Sequence, residues 1–289
     1  MISPAFARYF QVVSGLPLMA FVFAGGIPGL IGFFIYTLPR SGWRVWRQPL
    51  LWGMGMVLVV RVVSNIAAAR FTQAIYVQLF ALMTPFLVVI FSQIVLKEKA
   101  PKYTWSALFL SMVGAVLMLS SEITEAGITF NVQGSDGLGI AFAITQATVS
   151  AIYFLLLRYA KQQGVPDHEI VTCQTVIVNT FALGASLALG EDWSPYLELS
   201  TLDWVLLIFF MLVTVFIANW LQVRAIAVIG PHIFSSALPW RLLSVMVLGW
   251  FLLGERIESI WQLLGTILVF ITITGYFWLQ SRLASQTAA

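Results

Sequence analysis

Charge is what this sequence has least of. Of 289 residues only 9% are Asp, Glu, Lys or Arg, against 60% hydrophobic, and the mean hydropathy is +0.92. Soluble domains carry about 25% charged residues, so a water-soluble fold is excluded and the chain reads as a polytopic membrane protein. Cysteine is almost absent too. Cys173 stands alone inside an apolar segment, which excludes an intrachain disulfide and reads as a buried thiol. No basic n-region or small-residue cleavage site follows Met1, so no cleavable signal is read. The net charge of +3 is carried by short loops and is no footprint for nucleic acid.

Chemical motifs are missing as well. The chain has no HExxH, no paired intramembrane aspartates and no serine–histidine pair within a span, which speaks against an intramembrane enzyme. No Walker A sequence or nucleotide domain supports an ATP-driven pump, and no ring of like charge supports a channel. No catalytic residue, metal ligand or cofactor site is read. No aspartate or glutamate lies within the interior of a span. A proton-coupled exporter of cationic drugs would want such a carboxylate, so its absence favours a neutral, zwitterionic or anionic cargo.

What is present is long apolar runs. With about 20 apolar residues per crossing, spans are expected near 14–38, 50–69, 73–96, 103–121, 137–157, 169–190, 203–222, 232–253 and 259–280. The first carries Gly25, Gly29 and Gly32 on one face, a surface for close helix approach, and Pro28, an expected kink. Trp43, Trp46 and Trp52 around the basic loop read as an aromatic belt.

The chain also repeats itself. Asn65, Arg70 and Pro85 are spaced by 5 and 15 residues, as are Asn219, Arg224 and Pro239. Each set runs on to a glutamate, Glu98 or Glu255, and a tryptophan, Trp105 or Trp261. Arg8-Tyr9 before Gly15-Leu16-Pro17 is matched by Arg158-Tyr159 before Gly164-Val165-Pro166. Residues 1–10 are therefore expected to be the tail of a helix equivalent to 137–157, either a true stub or the end of a chain shortened upstream. The expected organisation is a first repeat at 1–121, an external acidic linker at 122–136, a second repeat at 137–282 and a tail at 283–289.

Loop charge sets the orientation. Ten basic residues (Arg40, Arg44, Arg47, Lys97, Lys99, Lys102, Arg158, Lys161, Arg224 and Arg282) fall on one set of ends, against Arg8, Arg70 and Arg256 on the other. The richer side, with the C-terminus, is expected in the cytoplasm. Glu98 and Glu255 then lie on opposite sides, so the repeats are inverted, an architecture common among secondary transporters with a midplane site.

The pattern of Pro85, Leu96-Lys97-Glu98, Trp105 and Gly114, echoed by Pro239, Leu253-Gly254-Glu255, Trp261 and Gly265, resembles the EamA-type branch of the drug/metabolite transporter superfamily. The resemblance implies an all-α fold of two inverted five-helix repeats, with nine of ten helices visible and the first missing. It also implies export of amino acids or other small metabolites. The cavity would be lined by 50–69, 73–96, 137–157, 203–222 and 232–253.

Candidate cargo-binding residues follow. Arg61 and Arg241 are charges inside spans, where each costs about 2.5–3.5 kcal/mol. They line a water-filled cavity and attract a carboxylate, or they snorkel or bond backbone carbonyls. Gln146, Ser150 and Tyr153 form a polar stripe at helical spacing, read as cargo contacts or as interhelical bonding. Asn65 and Asn219 are repeat-equivalent amides. Tyr76, Gln78, Gln222 and Trp240 complete the set, with Pro85 and Pro239 as helix breaks. Glu98 and Glu255 read as interfacial ion pairs and His232 as a passive loop residue. The partners expected are a small-molecule cargo and the lipid bilayer. The leading function is a secondary transporter of small amino-acid-like or carboxylated metabolites in the cytoplasmic membrane; the alternative is a non-transporting sensor or scaffold, or a proton-coupled drug exporter.

Overall fold

The structure is a computed structural model that describes residues 6, 9–72, 77, 80–81, 83–95, 97, 102–119, 122–124, 127–129, 136–236 and 260–287. It is an all-α membrane protein apart from one short hairpin. Helix α1 (Leu18–Gly32) runs on through a π-helical stretch, Phe33–Thr37, to Ser41. Helix α2 spans Pro49–Phe71, α3 Met83–Val95 and α4 Thr104–Leu119. Strands β1 (Glu122–Thr124) and β2 (Gly127–Thr129) pair antiparallel within the acidic linker, the one departure from the expected all-helical chain among the described residues. Helix α5 spans Asp136–Gln162 and α6 Asp167–Ala188. Helix α7 (Thr201–Phe209) continues through π-helical Phe210–Ile217 into α8 (Ala218–Ser236), and α9 spans Ile260–Thr287.

Five of these spans are long and apolar enough to cross a bilayer: 18–47, 49–71, 137–162, 167–188 and 201–231. Their outer faces carry Ile35, Leu138, Leu187 and Val228, each more than 60% exposed. Backbone groups paired within helices, with an apolar exterior, are what lipid requires. The expected span at 232–253 lies mostly outside the described residues. Its start is visible: Gly230 takes φ 79° and ψ 163°, breaking the helix before Pro231. Pro28 does not end α1. Its missing N–H is absorbed, and the helix loosens into π geometry five residues later. Trp46 departs from the belt reading, being half-buried against Phe33 and Trp52 at ring distances of 5.5 and 5.4 Å, whereas Trp43 is exposed.

The internal repeat has a direct structural counterpart. Gly15 and Gly164 both take positive φ, 68° and 76°, and each is followed two residues later by a proline that caps a helix at φ −64°. Repeat-equivalent helices α1 and α6 then pack antiparallel. The backbone N–H groups of Met19 and Ala20 donate to Glu191 just beyond α6; further along, Gly26 abuts Asn179 and Gly29 abuts Thr175. The hydroxyls of Thr37 and Thr172 lie 2.8 Å apart, and Ser41 reaches His168 at 3.3 Å. Helices α4 and α9, also equivalent, do the same. Thr104 meets Tyr276 at 2.8 Å, and Gly114 sits against Gly265 and Val269. Equivalent helices that run in opposite directions are what inverted repeats produce.

Between these pairs, α2 and α5 form the most extensive contact among the described residues, also antiparallel. Phe71 stacks near Phe142, and Arg61 lies over Tyr153 and Phe154. Phe6 packs on Phe209 and Phe210, while Tyr9 donates to Asp203 at 2.7 Å. The short N-terminal stretch thus occupies against α7 the place that the end of α5 occupies against α2. The core runs through this middle layer, from Phe10, Phe21 and Phe33 to Phe154 and Ile170.

Candidate functional site

A cavity of about 160 Å³ opens in the middle of the bundle. Five spans wall it. Helix α1 contributes Phe21, Val22, Gly25 and Gly26; α2 contributes Leu58, Arg61, Val62, Asn65 and Ile66. Helix α5 adds Gln146, α6 adds Thr175, Val178 and Asn179, and the α7–α8 span adds Phe210, Thr214, Val215, Asn219 and Gln222. All these positions lie in the interior of their helices, so the cavity sits at membrane depth. The π-helical stretch at 210–217 forms part of its wall, and such stretches rotate side chains off the regular α register.

Arg61 is the one charged group of the wall among the described residues. It is half-buried, with its guanidinium carbon 4.8 Å from the Tyr153 ring centre and 5.3 Å from that of Phe154. Cation–π contacts of this kind contribute about 0.5–2 kcal/mol. They hold the group in place but do not neutralise it. No described carboxylate pairs with it. No described backbone carbonyl accepts from it, and it lines the cavity.

Around it lie polar atoms with nothing to bond. Gln146 Oε1, Asn179 Oδ1, Thr214 Oγ1 and Gln222 Nε2 are buried, line the cavity and lack a protein partner. An unsatisfied buried polar group costs about 1–3 kcal/mol, and several around one space form a site for a polar molecule. The repeat-equivalent amides Asn65 and Asn219 both reach the same space. Apolar side chains fill the rest of the wall, which suits a small molecule with one polar end and one apolar end.

The sequence-derived candidates divide into three groups. Arg61, Asn65, Gln146, Asn219 and Gln222 come together on the cavity. Ser150 and Tyr153 are buried but stand behind it: Gln146 Nε2 donates to Ser150 at 3.1 Å, and the Tyr153 hydroxyl donates to Gln174 Oε1 at 3.0 Å. The stripe is therefore split, its first member facing the space and the others bracing the wall. Tyr76, Gln78, Pro239, Trp240 and Arg241 lie outside the described residues, as do Glu98 and Glu255. Pro85 is buried within α3, near the start of its described part, and does not line the cavity wall.

The contributions of α1 and α6 were not anticipated. The resemblance placed 73–96 at the cavity, yet the described part of α3 supplies no wall residue, while Gly25, Gly26, Thr175 and Asn179 do. A signal for α6 exists in the sequence. Thr172, Thr175 and Asn179 recur at three and four residues, a polar stripe of the kind recognised on α5. Its cause is now visible. Glycines on α1 let α6 approach so closely that a Cβ at Gly26 would fall 1.8 Å from Asn179 Oδ1.

Comparison with known proteins agrees with this architecture. A family model described as the EamA-like transporter family matches residues 137–278. No curated protein matches the chain. A crystal structure described only as that of a protein superposes with a TM-score of 0.71 at 16% identity, covering 97% of this chain and 96% of the other. At that identity the likeness speaks to the fold alone.

Proposed function

Because residues 137–278 belong to the EamA-like transporter family, we propose that the chain is a secondary transporter of small carboxylated, amino-acid-like metabolites. It works in the cytoplasmic membrane with its C-terminus in the cytoplasm, and it alternates access to one midplane cavity by rocking inverted repeats against each other. The observation that carries the cargo class is Arg61, a cation at membrane depth, without a described carboxylate partner, on the wall of a cavity ringed by unpaired polar atoms. A carboxylate entering that space neutralises the guanidinium and accepts hydrogen bonds from it, and the apolar wall receives the rest of the molecule. The volume of about 160 Å³ lies below the ~300–1,000 Å³ of drug-sized pockets, which favours a metabolite over a bulky drug.

Liposomes containing the purified protein are expected to take up such compounds faster than empty vesicles. Arg61→Ala should lower the rate at least about tenfold, the cost of losing one charge-assisted hydrogen bond of about 1.5–3 kcal/mol. Equal uptake by empty and protein-bearing vesicles across a broad panel of carboxylated metabolites would falsify the transport reading.

A further inference from the structure

A second pocket, of about 470 Å³, lies where α2 begins, α5 ends and α6 begins, and it shares no wall residue with the midplane cavity. Gln48, Tyr159, Gln163, Gly164 and Glu169 are part of its wall. Thr175 of the midplane cavity stands six residues beyond Glu169, about 9 Å further along α6. Glu169 is the one charged group of the pocket wall among the described residues. It is 8% exposed, and no described lysine or arginine pairs with it. The cation next to the pocket, Lys161, is taken by Asp167 at 2.5 Å and by the Val165 carbonyl at 2.9 Å. Gln48 Nε2 donates to Glu169 Oε2 at 3.3 Å, a neutral donor that leaves the negative charge uncompensated. Oε1 takes no hydrogen bond from a described donor, and it is not sealed inside protein. An ionised carboxylate this deeply buried calls for a partner.

The end of α5 adds to the negative character of the wall. Gly164 takes φ 76° there, and the Gly164 and Val165 N–H groups close the helix onto the Lys161 and Ala160 carbonyls at 3.0 and 3.1 Å. The carbonyls of Gln163 and Gly164 accept no backbone bond. A helix C-terminus carries roughly half a negative charge and favours cations. The α6 N-terminus has roughly half a positive charge, but both Asp167 and Glu169 lie in its first turn, so it does not cancel the carboxylate. A hard metal ion gathers about six or more oxygen ligands. One carboxylate on so wide a space suits an organic cation with hydrogens to donate.

We propose that this pocket is a second binding site, one that takes small primary ammonium compounds with Glu169 as their counter-ion. It stands independently of the carboxylate reading of the midplane cavity, because it uses none of that cavity's residues.

Calorimetric titration of the purified full chain in detergent at neutral pH tests it. The probes are butylamine with 1-butanol, 2-phenylethylamine with 2-phenylethanol, and sodium chloride alone. None carries an organic carboxylate, so failure here leaves the Arg61 reading untouched. Each amine should bind at least about tenfold more tightly than its alcohol, the worth of one charge-assisted hydrogen bond. Glu169→Gln keeps the size and removes the charge, and it should bring that ratio to about one. Gln163 is exposed at the rim of the pocket. Gln163→Lys supplies a tethered ammonium and should weaken amine binding at least about tenfold, whereas Gln163→Glu should hold or strengthen it. The Gln163 pair decides the matter if Glu169→Gln does not fold. Amine and alcohol binding equally, or neither binding, overturns the proposal. So does a ratio unchanged in Glu169→Gln, amine binding unchanged in Gln163→Lys, or binding of sodium without binding of amines.

Discussion

At the scale of single residues, glycine does two different things in this protein. Gly26 is a hollow filled by the Asn179 amide, where an added Cβ would meet Oδ1 at 1.8 Å and Cγ at 2.5 Å. Gly53, one helix away on α2, has nothing within 4 Å of the same added atom. The two substitutions to alanine should therefore part company. Gly26→Ala must push α1 from α6 or move Asn179, and overpacking of this kind costs about 1–3 kcal/mol. Gly53→Ala gains helix propensity of up to about 1 kcal/mol and disturbs nothing. Thermal unfolding in detergent should show the first variant melting several degrees lower and the second melting at or above the parent. Equal melting temperatures would mean that the helices do not approach as closely as Gly26 implies.

At the scale of elements, the turn before each of α1 and α6 carries the repeat most sharply. Gly15 and Gly164 sit at φ 68° and 76° with open space around the missing Cβ, so a substitution there meets strain alone. Gly15→Ala and Gly164→Ala should each destabilise by about 1–2 kcal/mol, and Gly164→Asn by less, because asparagine tolerates the left-handed region. Chemical denaturation in mild detergent, reading the three variants against the parent, distinguishes this from a loose turn, which would leave all three unchanged. These turns were readable beforehand because Gly-x-Pro punctuates the chain through local sterics. So were the spans, which depend on hydrophobic length, and the pairing of Asn65 with Asn219, which depends on repetition. The cavity wall was only half readable. Arg61 and Gln146 announce themselves as polar groups in apolar helices, but so do Ser150 and Tyr153, which turn away from the cavity to bond Gln146 and Gln174. Asn179 and Thr175 reach the cavity only because the α1 glycines draw α6 in, a fact of tertiary packing that no single helix discloses. Which face of a polar stripe meets water is decided by its neighbours.

At the scale of the whole molecule, antiparallel packing of equivalent helices makes a prediction about the two sides of the membrane. The end of the α1 helix and the turn after it hold Arg40, Arg44 and Arg47, and the loop after α6 holds Glu191, Asp192 and Glu198. Since α1 and α6 run in opposite directions, these loops emerge on opposite faces, and the basic one belongs in the cytoplasm by the positive-inside rule. The chain suits a direct test, because Cys173 is its only cysteine and is buried. In a Cys173→Ala background, Trp43→Cys and Leu197→Cys each place one thiol at a position now 68% or 89% exposed. A membrane-impermeant maleimide applied to intact cells should label Leu197→Cys at once and Trp43→Cys only after the membrane is opened. Labelling of both from the same side would contradict the inversion itself. The reversed pattern would keep the inversion and overturn the orientation, since charge bias sets the second but only helix direction sets the first. A transporter that rocks about a pseudo-two-fold axis needs the inversion; the orientation decides which end of the cavity meets the cytoplasm first.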